Sequence, residues 1–129
     1  MGQLKKLNQN ALVRHTPIAN KQFKTIAWHG EEMLVRPVLP LDDVFAFTAH
    51  VAELCTDDGQ ILPELCEMAF RQAVIEMYAA VDLPDSVEER YYYMFASDLY
   101  DTVVKYVNAA QLQSLRTVIE LWLRKIIET

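Results

Sequence analysis

The chain has 129 residues, of which just over half are apolar and about a quarter are charged, and its formal net charge is −6. This balance excludes a disordered polar chain, because intrinsic disorder requires low hydrophobicity together with high net charge. A chain of this length buries enough surface for one hydrophobic core, and we therefore expect a single domain over residues 21–129.

Charge is divided unevenly along the chain. Residues 1–30 contain five basic residues and no acid, whereas residues 31–129 contain seven basic and eighteen acidic residues, a net charge of −11. An acidic body disfavours nucleic acid, whose phosphates are bound by Lys and Arg. We interpret residues 1–20 as a basic N-terminal arm, extended, partly helical or disordered. It either contacts an acidic neighbouring subunit or is solvated, with at most a weak contact to nucleic acid.

The two cysteines, Cys55 and Cys66, lie in segments that we predict to be helical. Because no cluster of Cys or His accompanies them at metal-ligand spacing, we expect buried free thiols, consistent with a reducing cytoplasm. No apolar run approaches the roughly 18 residues that span a bilayer, and residues 1–20 lack the hydrophobic centre of a secretory signal. We therefore expect no membrane contact.

A β-hairpin is predicted over residues 22–38. Apolar and polar residues alternate from Phe23 to Trp28, and β-favouring residues continue from Glu31 to Val38. Between them stands His29-Gly30, a two-residue turn in which Gly30 accepts positive φ and His29 tolerates it better than most residue types. An isolated hairpin is only marginally stable in water, so its apolar face should pack on helices or on another subunit.

Beyond Pro40 the apolar residues recur at helical spacing, and we predict a compact bundle of four to five helices over residues 41–128. The first helix runs from about Leu41 to Cys55 and stops at Asp57-Asp58-Gly59, a turn by composition. Its inner face comprises Val44, Phe47, Val51 and Leu54. The fold class predicted is thus α+β, mainly α, with the arm and hairpin preceding the bundle.

The later helices have recognisable start signals. Pro63 opens a helix whose broad apolar stripe extends to Val81, which indicates a central position in the bundle. Ser86 with Glu89, and Asn108 with Gln111, match capping boxes. Ser97-Asp98 should either interrupt a helix or cap the next one.

Residues for catalysis, for a cofactor or for a metal are not found. His15, His29 and His50 lack the spacing that places two imidazoles on one metal, and three scattered glycines cannot form a phosphate-binding loop. Acids such as Asp98 and Asp101 should lie on solvated helix faces with unperturbed pKa values. We expect no enzymatic activity, no cofactor and no metal.

Three successive tyrosines are the most unusual local feature, because consecutive helical residues point about 100° apart and at least one ring must face outward. The rings form either a partner surface or one core tyrosine with two rings lying on the surface. Aromatic residues and Arg are enriched where proteins meet. The candidate partner interface comprises Lys5, Lys6, Arg14, Phe23, Trp28, Tyr91, Tyr92 and Tyr93.

From about residue 26 to 127 the chain resembles a family of small proteins from the structural gene clusters of tailed phages and prophages of Gram-positive bacteria. The resemblance rests on the order and spacing of Trp28-His29-Gly30, Leu39-Pro40-Leu41, Phe47 and Val51, Asp58-Gly59, Pro63-Glu64, Leu83-Pro84, Tyr91, Asp98, and Val107-Asn108 with Gln111. The family has an asparagine or another turn residue where this chain has His29. It implies a virion component or assembly factor used in many copies, and it carries over no catalytic residue.

We therefore predict a non-enzymatic virion structural protein of the head, neck or tail, which binds copies of itself and other virion proteins through its hairpin edge and helical faces. It would be made in the host cytoplasm and reside in the virion. Two alternatives remain open: a tail-assembly chaperone that leaves the particle, and a small acidic inhibitor of a host defence protein that mimics nucleic acid.

Overall fold

The computed structural model describes residues 23–128, with side chains to residue 126, so the predicted arm over residues 1–20 lies outside the described residues. The main elements are strands β1 (Lys24–Trp28) and β2 (Glu31–Val35), helix α1 (Leu41–Leu54), short strands β3 (Thr56–Asp57) and β4 (Gln60–Ile61), and helices α2 (Cys66–Tyr78), α3 (Val87–Tyr91), α4 (Leu99–Val104) and α5 (Ala109–Glu128). The predicted α+β, mainly α class is confirmed.

Strands β1 and β2 form the predicted antiparallel hairpin, with Trp28 opposite Glu31 at the turn and Ile26 opposite Met33 further along. His29 and Gly30 have φ values of 49° and 79°. Positive φ at both central positions is the type I′ geometry that matches the twist of the two strands. Ile26 and Met33 are buried, so this cross-strand pair is the face that the hairpin packs on the helices.

The outer edge of β2 is paired at its end, around Val35, with the chain that follows α2. Val35 forms an isolated antiparallel bridge with Ala79. The Arg36 N–H donates to the Tyr78 carbonyl at 2.8 Å, and the Ala80 N–H donates to the Leu34 carbonyl at 2.9 Å. Of this hairpin's two outer edges, only that of β1 lacks a strand partner within the described residues.

Helix α1 buries Phe47 and Val51 completely, and the predicted turn follows it. Asp58 and Gly59 have φ values of 51° and 79°, the same pair of positive values as in the first hairpin. Here they join β3 and β4, a two-residue ladder that the sequence analysis did not predict.

Helix α2 is central, as its broad apolar stripe predicts: eight of its residues are buried. The Phe47 ring meets the Phe70 ring edge-on at 5.5 Å and the Tyr78 ring at 6.4 Å, a geometry worth about 0.5–1.5 kcal/mol per pair beyond burial. The predicted extension to Val81 is wrong. The helix ends at Tyr78 because Ala79 is extended and pairs with β2.

Residues 86–104 contain two of the predicted helix starts. The Ser86 side chain accepts from the Glu89 N–H at 3.4 Å, which confirms the cap of α3. A π-helical segment follows α3 from Tyr92 to Ala96. Ser97-Asp98 then ends this stretch, and the Ser97 hydroxyl accepts from the Leu99 N–H at the start of α4.

Helix α5 begins where Asn108 Oδ1 accepts from the Gln111 N–H at 2.8 Å, as predicted. The Gln111 side chain does not reach back to Asn108, as the glutamine of a capping box does. Its amide instead bonds the backbone of Leu39 and the hydroxyl of Tyr78. Leu115 and Ile119 are the buried residues of the predicted inner face.

Candidate partner interface

Of the eight residues predicted for the partner interface, Lys5, Lys6 and Arg14 lie outside the described residues. The structure places the other five, which are aromatic, at three places on the surface. Trp28, Tyr92 and Tyr93 come together, while Tyr91 and Phe23 lie apart from them.

The hairpin turn lies against the segment that links the π-helical stretch to α4. Trp28 Nε1 donates to Asp98 Oδ1 at 2.8 Å, and His29 Nε2 lies 3.0 Å from the same oxygen. The Trp28 ring also meets the Tyr93 ring edge-on at 6.4 Å. Because the side chains of His29 and Asp98 are 65% and 62% exposed, their ion pair stabilises this contact little, and ring packing holds the turn.

Asp98 is exposed but is not the unperturbed acid that the sequence analysis expected. The hydrogen bonds from His29 and Trp28 hold the pKa of its carboxyl below the ordinary value. Both bonds are made to the charged carboxylate of Asp98. Because they stabilise that form, they lower the pKa even where the group is hydrated.

The tyrosine run passes from α3 into the π-helical segment, in which the Ser97 N–H donates to the Tyr92 carbonyl at 3.0 Å, five residues back. Tyr91 and Tyr92 are exposed, at 58% and 54%, whereas Tyr93 is partly buried and packs against the core. No tyrosine of the three is a core residue. Tyr91 packs on Phe95, with ring centroids 5.2 Å apart.

These residues border an open hollow of about 410 Å³, which we call the aromatic cleft and define by Trp28, His29, Tyr92, Tyr93 and Asp98. It offers ring faces beside one carboxylate. Such a combination suits an amphipathic or cationic side chain of a partner, because a guanidinium or ammonium group is attracted to aromatic faces and to a carboxylate at once.

Phe23 does not belong to the aromatic cleft. It is 58% exposed and borders a separate hollow of about 260 Å³ with Leu34, Arg36 and Met77, beside the strand edge that the chain after α2 occupies. The structure therefore does not join Phe23 to the tyrosines.

Sequence reasoning missed an apolar furrow between α1 and α5, which we call the α1–α5 groove. Two adjoining hollows of about 490 and 330 Å³ lie along it, both bordered by Thr48 and Val118. The exposed large side chains that border it are Phe45 at 65% and Val118 at 53%, and Leu41, 67% exposed, lies four residues before Phe45 on the same face of α1. The available signal was a second apolar stripe on α1, in which Leu41, Phe45 and Ala52 recur at helical spacing beside the buried stripe.

The strongest charged cluster is a structural network within the helices. Glu67 accepts from Arg116 Nη1 at 2.7 Å and from Arg71 Nε at 3.1 Å. The Arg116 guanidinium lies over the Phe70 ring at 4.1 Å, and that of Arg71 over the Tyr100 ring at 4.7 Å. Burial acts to raise the pKa of Glu67, but the bonds from Arg116 and Arg71 prevail and lower it. These charged side chains form ion pairs with one another, so the cluster belongs to the helix packing and not to the lining of an open cavity.

Cys55 and Cys66 are buried free thiols, as predicted. The His50 side chain is 33% exposed and has a partner, since its Nε2 lies 2.5 Å from Glu76 Oε2. Within the described residues, no group of three or more His, Cys, Asp or Glu is arranged to hold a metal ion. A search of the same residues finds no helix with the length and apolar character needed to cross a membrane.

Comparisons of the chain with protein-family models, with curated proteins and with solved structures find no match.

Proposed function

We propose that this chain is a non-enzymatic structural protein of a tailed-phage virion, a component of the head, neck or tail that acts by assembly with copies of itself and with other virion proteins. The observation that carries the proposal is the apolar surface left uncovered on the α1–α5 groove and around the aromatic cleft. The resemblance of residues 26–127 to a phage family supports the virion setting, with synthesis and assembly in the host cytoplasm.

The magnitude of this exposure favours partners. An aromatic side chain buries about 150–250 Å² when it is fully covered, so Phe45 alone, at 65% exposure, offers roughly 100 Å² or more. Val118 on the opposite wall is also more than half exposed, so both walls of the groove present apolar surface of the kind that marks a binding site on a soluble protein. The exposed rings of Tyr91 and Tyr92 add the residue type that interfaces favour.

Sedimentation velocity of the full chain and two variants tests assembly. We expect oligomers for the natural chain, and slower sedimentation for Phe45→Asp, because a charge in the groove would be buried unpaired. Val87→Asp is the matched control, since Val87 is 62% exposed on α3 and borders neither surface. Monomers at every concentration, or equal effects of the two variants, would contradict self-assembly.

The virion setting has its own test, mass spectrometry of particles purified from the phage or prophage that encodes the chain. Presence in a fixed ratio to other virion proteins supports a structural component. Presence in the lysate with absence from particles rejects that role and supports the tail-assembly chaperone.

A second candidate is a small acidic inhibitor of a host defence protein. It is favoured by residues 82–89, where Asp82, Asp85, Glu88 and Glu89 are exposed and have no ion-pair partner within the described residues. Such a row of free carboxylates can stand in for phosphates. Binding to a nucleic-acid enzyme that DNA competes away, and that charge reversal at these four positions abolishes, would establish this role instead.

A further inference from the structure

The length and lining of the α1–α5 groove suit the binding of a short segment of polypeptide. Its α5 wall runs from Ala110 to Trp122, which is about 18 Å at the rise of an α-helix. The floor is apolar and includes the small residues Ala49 and Ala52, which leave room for larger side chains from a partner. Three turns of helix, or a shorter extended segment, fill such a length.

The α1 wall of the groove is acidic. Helix α1 contains three acids, Asp42, Asp43 and Glu53, and no Lys or Arg. Asp42 and Glu53, eleven residues apart, share one stripe of α1 with Ala49 and so flank the groove. Both are exposed, and neither has an ion-pair partner within the described residues.

Residues 1–22 carry the complementary chemistry. They contain Lys5, Lys6, Arg14 and Lys21 and no acid, a net charge of +4 that is opposite in sign to the charges of α1. Leu4, Leu7 and Ala11 are spaced by three and four residues, and a helical turn would therefore bring them to one face. Extended, 22 residues span up to about 70 Å, which is ample to reach a neighbouring molecule.

The position of Phe23 indicates whose groove is reached. Phe23 borders a hollow with Arg36 and Glu76, the residues that pair with Asp43 and His50 of α1. Asp43 and His50 lie on the flank of α1 opposite Phe45, since positions two and five residues from Phe45 are turned by about 200° and 140°. Phe23, where residues 1–22 join the described chain, therefore lies toward the side of α1 that faces away from the groove of its own copy.

We propose that residues 1–22 of one copy bind in the α1–α5 groove of a neighbouring copy, with apolar residues on the groove floor and Lys or Arg beside Asp42 and Glu53. This proposal rests on the proposed function, because it requires that copies of the chain associate. It names the segment and the surface through which they do so.

Photo-crosslinking in the full chain tests the proposal. The photoreactive amino acid p-benzoylphenylalanine is placed at position 45, where Phe45 is exposed, in copies grown on heavy nitrogen mixed with copies grown on ordinary nitrogen. After irradiation and digestion we expect position 45 to be joined to peptides from residues 1–22, with heavy–light pairs among them. The same label at Tyr91, similarly exposed but outside the groove, is the control and should not capture those peptides.

Three results would overturn the proposal. Capture of α1 or α5 peptides from the second copy would show that two grooves face each other. Capture of residues 1–22 without heavy–light pairs would show that each arm binds the groove of its own copy. If residues 1–22 are not captured, the groove binds another occupant. If such a sample still sediments as an oligomer, self-assembly stands and only this assignment fails. If it sediments as a monomer, both fail.

Charge reversal gives a second measurement in the same chain. Asp42→Lys with Glu53→Lys should lower the yield of crosslinked arm peptides by about fivefold. Added salt should also lower that yield when Asp42 and Glu53 are unchanged. Glu88→Lys with Glu89→Lys, exposed acids on α3, should leave the yield unchanged. Equal yields in the two variants would reject the electrostatic part of the contact.

Discussion

The amide of Gln111 connects three parts of the chain, and its replacement should be costly. Its Oε1 accepts from the Leu39 N–H at 2.8 Å and from the Tyr78 hydroxyl at 2.6 Å, while Nε2 donates to the Leu39 carbonyl at 3.0 Å. Leu39 and Tyr78 are each only 1% exposed. One side chain thus satisfies three buried polar groups where the link after β2, the end of α2 and the start of α5 meet.

We expect Gln111→Leu to lower the free energy of unfolding by about 3 kcal/mol. Each hydrogen bond contributes about 1 kcal/mol net, and a buried group left without a partner costs about 1–3 kcal/mol. The added apolar contact of leucine offsets only part of three such losses. For a chain of this size the change corresponds to a decrease in Tm of roughly 10 °C.

Urea unfolding followed by circular dichroism measures this change. Gln113→Leu is the control, because Gln113 is exposed on the same helix and its amide bonds only Thr117; we expect a change of less than about 0.5 kcal/mol. Gln111→Glu separates the contributions, since a carboxylate keeps the two acceptor contacts but cannot donate to Leu39. A Gln111→Leu protein as stable as the Gln113→Leu protein would refute the reasoning.

Three further predictions concern the charged and sulfur groups. Asp98→Leu removes the acceptor of the Trp28 indole and should shift its N–H resonance upfield in NMR, with little change in stability; an unmoved resonance would contradict the contact. Because bonds from Arg116 and Arg71 outweigh burial and hold the pKa of Glu67 below its usual value, its contribution to stability is complete above the unfolded pKa of about 4.3 and is lost as pH falls through the folded value. Glu67→Gln should therefore flatten the acid side of the stability profile measured by urea unfolding. Burial and the neighbouring Cys55 thiol raise the pKa of Cys66 to about 12, so iodoacetamide should label it only after unfolding, and rapid labelling of the native chain would contradict its burial.

Features that depend on a few neighbouring residues were predictable from the sequence. His29-Gly30 and Asp58-Gly59 each combine a residue that tolerates positive φ with one that accepts it freely, and both adopt such turns. Ser86 and Asn108 cap the helices that they precede. In each case the determining interaction spans no more than three residues, so no tertiary information is needed.

Features that depend on distant partners were not predictable. Helix α2 ends before its apolar stripe does, because Ala79 pairs with β2, more than forty residues away in the chain. The aromatic cleft requires the hairpin turn to meet Asp98, 70 residues beyond Trp28. The α1–α5 groove was not predicted, because a stripe of apolar residues indicates that a helix has an inner face but does not show which of two stripes remains exposed.

The pairing of β2 with Ala79 and Ala80 limits how copies of the hairpin can join. A polymer that grows by strand addition needs two unpaired sheet edges on each subunit, because each subunit must pair with a neighbour on both sides. Here the second side is already filled from within the same chain, as the bonds at Leu34 and Arg36 show. Strand addition through β1 would join two copies of the hairpin, whereas continued addition along β2 would have to displace the pairing of Val35 with Ala79.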